Sequence, residues 1–189
     1  MSFLALRSPL AARRHFLGQS ALFLSGSAIA LLSGNDALAQ KAGGAKAGDV
    51  TILNTALAAE LEAVAAYQVG AESGLLQKPV LALAVQFQGH HKEHADVLAK
   101  TVEKLGGEPV AAKRKYDFPL EGLKAQADVL RFAAQLERGA VSAYLGAVPL
   151  FENRDLAKAA ASILGDEAMH WAVLRNALGE NPVPSAFVS

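Results

Sequence analysis

Apolar residues recur at intervals of three and four along most of the chain after residue 48, and no stretch there alternates steadily between apolar and polar residues. This spacing is typical of amphipathic α-helices. Capping residues, glycines and prolines set the expected ends of four long helices. These are expected from Asp49 or Thr51 to about Glu72, from Pro79 to Leu105, from Gly122 to Ala147, and from Asn153 or Asp155 to Leu178. The pattern therefore predicts an all-α fold.

The lengths of the predicted connections indicate how the helices are arranged. The first and third connections have about five to eight residues, which is typical of antiparallel helical hairpins. The middle connection, from Gly106 to about Glu121, could extend about 50 Å, whereas a helix of about 27 residues is about 40 Å long. We therefore expect a four-helix bundle in which two antiparallel hairpins are joined by a long crossover.

The two predicted hairpins are related by an internal repeat. A shift of 77 residues gives seven identities between the segment from Leu53 to Tyr67 and the third helix. Two of these identities involve ionisable side chains, and they pair Glu60 with Glu137 and Tyr67 with Tyr144. A shift of 76 residues pairs His94 with His170. The sequence thus resembles one helical hairpin written twice.

The apolar stripe of each predicted helix is interrupted near its middle by ionisable residues. These residues are Glu60, His91, His94, Glu137, Glu167 and His170. Burying an unpaired carboxylate is costly unless the group takes up a proton. A bound cation removes that cost, and carboxylate with imidazole suits iron, manganese or zinc. The sequence therefore predicts that these six residues hold a metal ion in the bundle core. For His91 the alternative is a hydrogen bond to a glutamate across the bundle.

This constellation resembles that of the ferritin-like superfamily and, more narrowly, that of exported bacterial ferritin-like domain proteins. The resemblance covers residues 49 to about 178, which is nearly all of the chain left after removal of residues 1–39. It implies that Glu60 and Glu137 are lone glutamates on two helices, and that Glu167 and His170 form a Glu-x-x-His motif.

The second Glu-x-x-His motif departs from this pattern. His94 matches its histidine, but His91 stands where the motif has glutamate. A neutral imidazole cannot bridge two metals as a carboxylate does. The resemblance therefore leaves open an asymmetric site, a single ion, weak binding or a site that has lost its metal.

Several neighbouring residues have more than one interpretation. Tyr67 and Tyr144 are implied to lie near the site, as hydrogen-bond donors to ligand carboxylates, as redox-active groups or as ordinary core residues. Five other ionisable residues on these helices are interpreted as solvated, namely Glu62, Glu72, Glu93, Glu103 and His90.

Residues 1–39 have the layout of an export signal. Basic residues, among them Arg13 and Arg14, precede an uncharged apolar stretch, and Ala37-Leu38-Ala39 provides a small-x-small cleavage site. The Arg13-Arg14 pair resembles the twin-arginine motif of bacteria. We predict cleavage after Ala39 and a periplasmic location, with an uncleaved membrane anchor as the alternative. The remaining chain is divided into a flexible linker at 40–48, the bundle at 49–179 and a tail at 180–189.

The charge balance and the absence of cysteine limit the kinds of partner and of metal ligand that the chain can have. The chain has 18 basic and 18 acidic residues, and removal of residues 1–39 leaves 15 basic against 17 acidic residues. This balance argues against nucleic-acid binding, which favours clustered basic residues. The absence of cysteine excludes thiolate ligands and a cysteine nucleophile. Any metal must therefore be held by oxygen and nitrogen.

The sequence as a whole predicts an exported ferritin-like protein that binds iron, with manganese or zinc as alternatives. The resemblance implies oxidation of the metal by oxygen or peroxide and a protective role under stress. The alternative is a non-enzymatic bundle for protein contacts, with a metal-free polar core. No stable membrane insertion is expected after signal removal, and a homodimer is compatible with the fold. The sequence does not show the fifth helix or assembly surfaces of a storage cage.

Overall fold

The computed structural model describes residues 45–188, and within this range the chain forms helices and no strand. The long helices are α1 (Ala45–Glu72), α2 (Lys78–Lys104), α3 (Gln126–Ala147) and α4 (Arg154–Ala177). Short 3-10 turns at Leu120–Gly122 and Val148–Leu150 precede α3 and α4. The predicted all-α four-helix bundle is confirmed.

The crossover between α2 and α3 runs along the bundle, as its length predicted. Near its start, the Asn54 side chain of α1 donates to the carbonyl of Glu108 and accepts from the amide of Val110, both at 2.9 Å. Just before α3 begins, the amide of Gln77, which follows α1, donates to the Gln126 side chain at 2.8 Å. The third helix therefore starts at the end of the bundle where α1 finishes, and it runs antiparallel to α1.

The start of α1 corrects the predicted linker. The helix begins at Ala45 rather than Asp49, so residues 45–48 are helical. Alanine and lysine favour helix at these positions. Asp49 does not mark the start of its own helix, because its carboxylate accepts from the amides of Glu152 and Asn153 at 2.9 and 3.0 Å. It therefore lies at the beginning of α4, where a negative charge is favourable.

The start of α3 also differs from the prediction. Residues 120–122 form a 3-10 turn, and α3 begins at Gln126 rather than Gly122. The carboxylate of Asp128 accepts from the amides of Lys124 and Ala125, at 3.1 and 2.9 Å, and so fixes the first turn. The other predicted starts, at Pro79 and Asn153, agree with the structure to within one residue.

The predicted export signal and the first part of the linker lie outside the described residues. Cleavage after Ala39 and export by the twin-arginine route therefore stay predictions. Residues 47–72 of α1 are long and apolar enough to cross a membrane by length and composition. Core helices of soluble bundles share that property, and α1 buries Leu53 and Leu57 against the other helices.

Two apolar clusters hold the bundle together, one on each side of the polar residues. The first is built around Leu53, Leu57, Leu98, Val102, Tyr144, Phe151 and Ile163. The second contains Tyr67, Phe87, Leu130, Ala134 and Leu174. On every helix the ionisable residues fall between the members of these clusters. The fold thus fixes the polar residues in the middle of a well-packed core.

Candidate metal centre

The six predicted ligands lie together at the middle of the bundle. Glu60, His91, Glu137, Glu167 and His170 are buried, with no more than 2% of each residue exposed. The His94 side chain is less enclosed, at 15% exposure. All four helices contribute, because each presents its polar position at the same level between the two apolar clusters.

These residues form two overlapping groups that share Glu167 and His91. In half-site A, His94 Nδ1 lies 3.1 Å from Glu167 Oε1 and 3.6 Å from Glu60 Oε2. In half-site B, His170 Nδ1 lies 3.4 Å from Glu137 Oε1 and 3.5 Å from Glu167 Oε2. In each group the atoms that could bind a metal lie within 4.8 Å of one another. Glu167 therefore presents one oxygen to each half-site.

His91 lies between the two half-sites and belongs to both groups. Its Nδ1–H donates to Glu60 Oε2 at 2.8 Å, and its Nε2 lies 3.3 Å from Glu137 Oε1. Burial by itself lowers the pKa of His91, but hydrogen bonds to Glu137 and Glu60 outweigh it and raise the pKa to about 11. In the metal-free protein His91 is therefore an imidazolium that ties together the two lone glutamates.

The other two histidines are also held in the charged form. Burial lowers their pKa values, but Glu167 and Glu60 raise the pKa of His94 to about 10. In the same way, Glu137 and Glu167 raise the pKa of His170 to about 9. Burial raises the pKa of Glu137, but His170 and His91 outweigh it and hold the pKa below its usual value. Without metal, three imidazolium rings thus face three buried glutamates.

The two tyrosines of the repeat bind the lone glutamates reciprocally. The hydroxyl of Tyr67 donates to Glu137 Oε1, and that of Tyr144 donates to Glu60 Oε1 at 2.6 Å. Burial raises the pKa of both phenols, and the charges of Glu137 and Glu60 raise it further. Both hydroxyls therefore remain donors. The crossed pairing follows from the antiparallel arrangement of α1 and α3.

Several buried polar atoms at the centre have no hydrogen-bond partner among the residues that the structure describes. They are His94 Nδ1, Glu137 Oε2, both carboxylate oxygens of Glu167, and His170 Nδ1. Folded proteins rarely leave such atoms unpaired. All of them belong to half-sites A and B, and a cation between them would satisfy them together. Their carboxylate and imidazole chemistry fits iron, manganese or zinc.

Sequence reasoning missed two further residues beside the centre. His90 was interpreted as solvated, but its Nδ1 lies 2.8 Å from His170 Nε2 and 3.2 Å from Asp166 Oδ2. Both His90 and Asp166 are partly buried. The signal that could have found them is the repeat, since the shift of 76 residues aligns His90 with Asp166 one turn before His94 and His170.

The side of the bundle formed by α1 and α3 has a mainly apolar lining. A cavity of about 70 Å³ lies between these helices, lined by alanines such as Ala63 and Ala140, and it extends to Glu60, Glu137 and Tyr144. The centre is thus approached by an apolar groove on this side and by His90 and Asp166 on the side of α2 and α4.

Comparison with known proteins agrees with this architecture. No curated protein matches the chain. A solved structure of a conserved hypothetical protein from Mycobacterium tuberculosis is 24% identical, has a TM-score of 0.66, and the match covers 76% of this chain and 99% of that chain. This likeness concerns the fold alone. The family model for the ferritin-like domain matches residues 48–180, well over half of the chain, and the protein therefore belongs to the ferritin-like domain family.

Proposed function

We propose that this protein binds iron in the bundle core, with manganese and zinc as alternative ions. Half-site A would supply Glu60 and His94, half-site B would supply Glu137 and His170, and Glu167 would be shared. The observation that carries the proposal is the set of buried, unpartnered nitrogen and oxygen atoms on these residues. In each half-site the atoms that could bind a metal lie within 4.8 Å of one another, which distinguishes the centre from polar residues scattered through a core.

His91 distinguishes two forms of the loaded centre. As an imidazolium, it keeps Glu60 and Glu137 Oε1 occupied through its present hydrogen bonds. The centre then has three glutamate ligands, one fewer than it would have with glutamate at position 91. As a ligand, it must first lose a proton, because its pKa lies at about 11 in the metal-free protein. Since the two forms differ by one proton, proton release on metal binding separates them.

Iron bound here would supply electrons for the reduction of dioxygen or peroxide, and a protective role under stress is part of the proposal. The residues around the centre would position the ligands, exclude water and admit the oxidant. Tyr67 and Tyr144 hold the lone glutamates in place through their hydroxyls. The two apolar clusters exclude bulk water from both ends of the centre. The cavity beside Glu60 and Glu137 offers a small apolar molecule a way in.

Metal analysis of the wild type and of Glu167→Gln tests the binding proposal. Wild-type protein isolated from its native export route should contain metal, and ferrous iron added without oxygen should raise the melting temperature. A ligand at 100 times its dissociation constant stabilises by about 2.7 kcal/mol. Glu167→Gln should hold less metal and show a smaller rise in melting temperature, because Glu167 belongs to both half-sites. The exposed Glu93→Gln on α2 is the matched control and should behave as wild type.

The binding proposal fails if the wild type holds less than about 0.1 metal per chain and neither ferrous iron nor a chelator changes its melting temperature. That result would favour the second candidate function, a metal-free bundle for protein contacts. The observation behind this candidate is the balance of three imidazolium rings against three glutamates. In such a centre protons balance the charge without an ion.

Export through the twin-arginine route to the periplasm is also proposed, supported by the layout of residues 1–39. Replacing Arg13 and Arg14 with lysine should hold the protein in the cytoplasm at its full length. Mass spectrometry of the exported wild type should find Gln40 as the first residue. A mature protein that retains residues 1–39 would contradict cleavage.

A further inference from the structure

Three histidines converge on a single carboxylate at the partly exposed edge of the centre. Asp166 Oδ2 lies 3.2 Å from His90 Nδ1, 3.4 Å from His94 Nε2 and 3.3 Å from His170 Nε2. His90 Nδ1 and His170 Nε2 are 2.8 Å apart. The side chains of His90 and Asp166 are 34% and 25% exposed. This cluster is therefore the polar contact between the centre and the solvent on the side of α2 and α4.

The triangle formed by His90, Asp166 and His170 has the dimensions of a metal-binding face. Its edges measure 2.8, 3.2 and 3.3 Å. Two neighbouring ligands bound to one ion at about 2.1 Å lie about 3.0 Å apart in octahedral and about 3.4 Å apart in tetrahedral coordination. Two imidazole nitrogens and one carboxylate oxygen suit a divalent first-row metal, and the exposure of two of the residues leaves room for water as further ligands.

Hydrogen bonding by Asp166 alone does not account for His90. Asp166 could fix the rings of His94 and His170, as carboxylates beside metal-ligating histidines commonly do. His90 has no such part, because it is not in either half-site and its nitrogen lies closer to His170 than to Asp166. Binding of a cation by His90, Asp166 and His170 together explains why all three side chains meet at this point.

We propose that His90, Asp166 and His170 form an outer site for a divalent cation, through which the ion passes from solvent to the core. His170 presents Nε2 to the triangle and Nδ1 to half-site B. Since a neutral imidazole has one nitrogen lone pair, the ring cannot hold ions on both sides. Filling half-site B therefore empties the outer site. The passage inward rests on the proposed function of the core, whereas cation binding by the triangle does not.

The rate of loading tests this passage. Trp171, the single tryptophan of the chain, follows His170 and reports on the arrival of a paramagnetic ion. Quenching of its fluorescence by Co²⁺ should be slower in His90→Ala than in the wild type, by about tenfold or more. The final Co²⁺ content should be unchanged, and Glu93→Gln should load at the wild-type rate. Loading of His90→Ala at the wild-type rate would overturn the proposal.

Equilibrium dialysis with Co²⁺ isolates the outer site. Glu167→Gln weakens both half-sites and should leave one weaker Co²⁺ site per chain. Adding His90→Ala to it should reduce the affinity of that site by about 10- to 100-fold. Equal affinity in the single and double variants would overturn the outer site while leaving the core proposal intact. A wild type that binds no Co²⁺ at all would overturn both.

Discussion

Metal binding at neutral pH should release protons from this protein, and the number released reports which histidines become ligands. In the metal-free protein the pKa values of His91, His94 and His170 lie at about 11, 10 and 9. At pH 7 even His170 is only about 1% neutral. A histidine must be neutral to ligate, so each histidine ligand gives up nearly one whole proton.

The size of the effect follows from this count. If His94 and His170 ligate and His91 stays charged, about two protons are released per loaded centre, and about three are released if His91 also ligates. The overall constant for loading the centre, which is the product of both affinities if two ions bind, should rise about 100-fold for each pH unit in the first case and about 1000-fold in the second, until the pH nears the lowest of the three pKa values. The pH dependence alone thus distinguishes the two forms of the centre.

Isothermal titration calorimetry with Zn²⁺, which has no redox chemistry, measures the proton count. The observed heat at pH 7 varies with the ionisation enthalpy of the buffer, and the slope of that dependence is the number of protons released. His91→Gln should leave a count of two unchanged and should lower a count of three to two. Binding with release of fewer than one proton would refute the assignment of His94 and His170 as charged residues that become ligands.

Three further predictions concern the metal-free protein. Its melting temperature should be highest between about pH 5 and 6.5 and should fall as the pH rises through about 9 to 11. The stability that the raised histidine pKa values contribute is complete below pH 6.5 and is lost when the rings lose their protons. A melting temperature that rises from pH 7 to 9 would contradict this. Tyr67→Phe should lower the free energy of unfolding in urea by about 1–3 kcal/mol, since it removes the hydroxyl that donates to the buried Glu137. Tyr116→Phe in the crossover should change it less, because that half-buried hydroxyl only loses a 3.2 Å bond from the Lys113 amide. Asp49→Ala should destabilise the protein by about 1 kcal/mol, because the carboxylate binds two amides at the start of α4, and an unchanged urea midpoint would show that these bonds contribute nothing.

The sequence was sufficient to predict the helices and the crossover because those features depend on periodicity and length. The first turns were harder to place. Asp49 is a good N-cap residue by type, but its carboxylate binds α4, and this contact across 103 residues has no local signal. The start of α3 was placed four residues early because a 3-10 turn precedes it. Such ends depend on tertiary contacts rather than on local propensity.

The six residues of the candidate site lie together as predicted, because each of them is on the inward-facing side of its helix and at the same level of the bundle. The partners within the site were less predictable. The repeat indicated that Tyr67 and Tyr144 are equivalent, but the crossed bonding of each to the opposite glutamate depends on the antiparallel arrangement of α1 and α3. His90 was missed because a histidine at the edge of an apolar stripe has the same pattern as a solvated one.

The departure at His91 keeps a fourth carboxylate out of the metal-free core. The shift of 76 residues aligns His90 with Asp166 and His91 with Glu167, so α2 supplies imidazoles where α4 supplies carboxylates. A glutamate at position 91 would place a fourth carboxylate in a core that already buries three. Removing such charges from water is strongly unfavourable without partners. His91 instead adds a positive charge between Glu60 and Glu137, and the metal-free centre is balanced by its own protons.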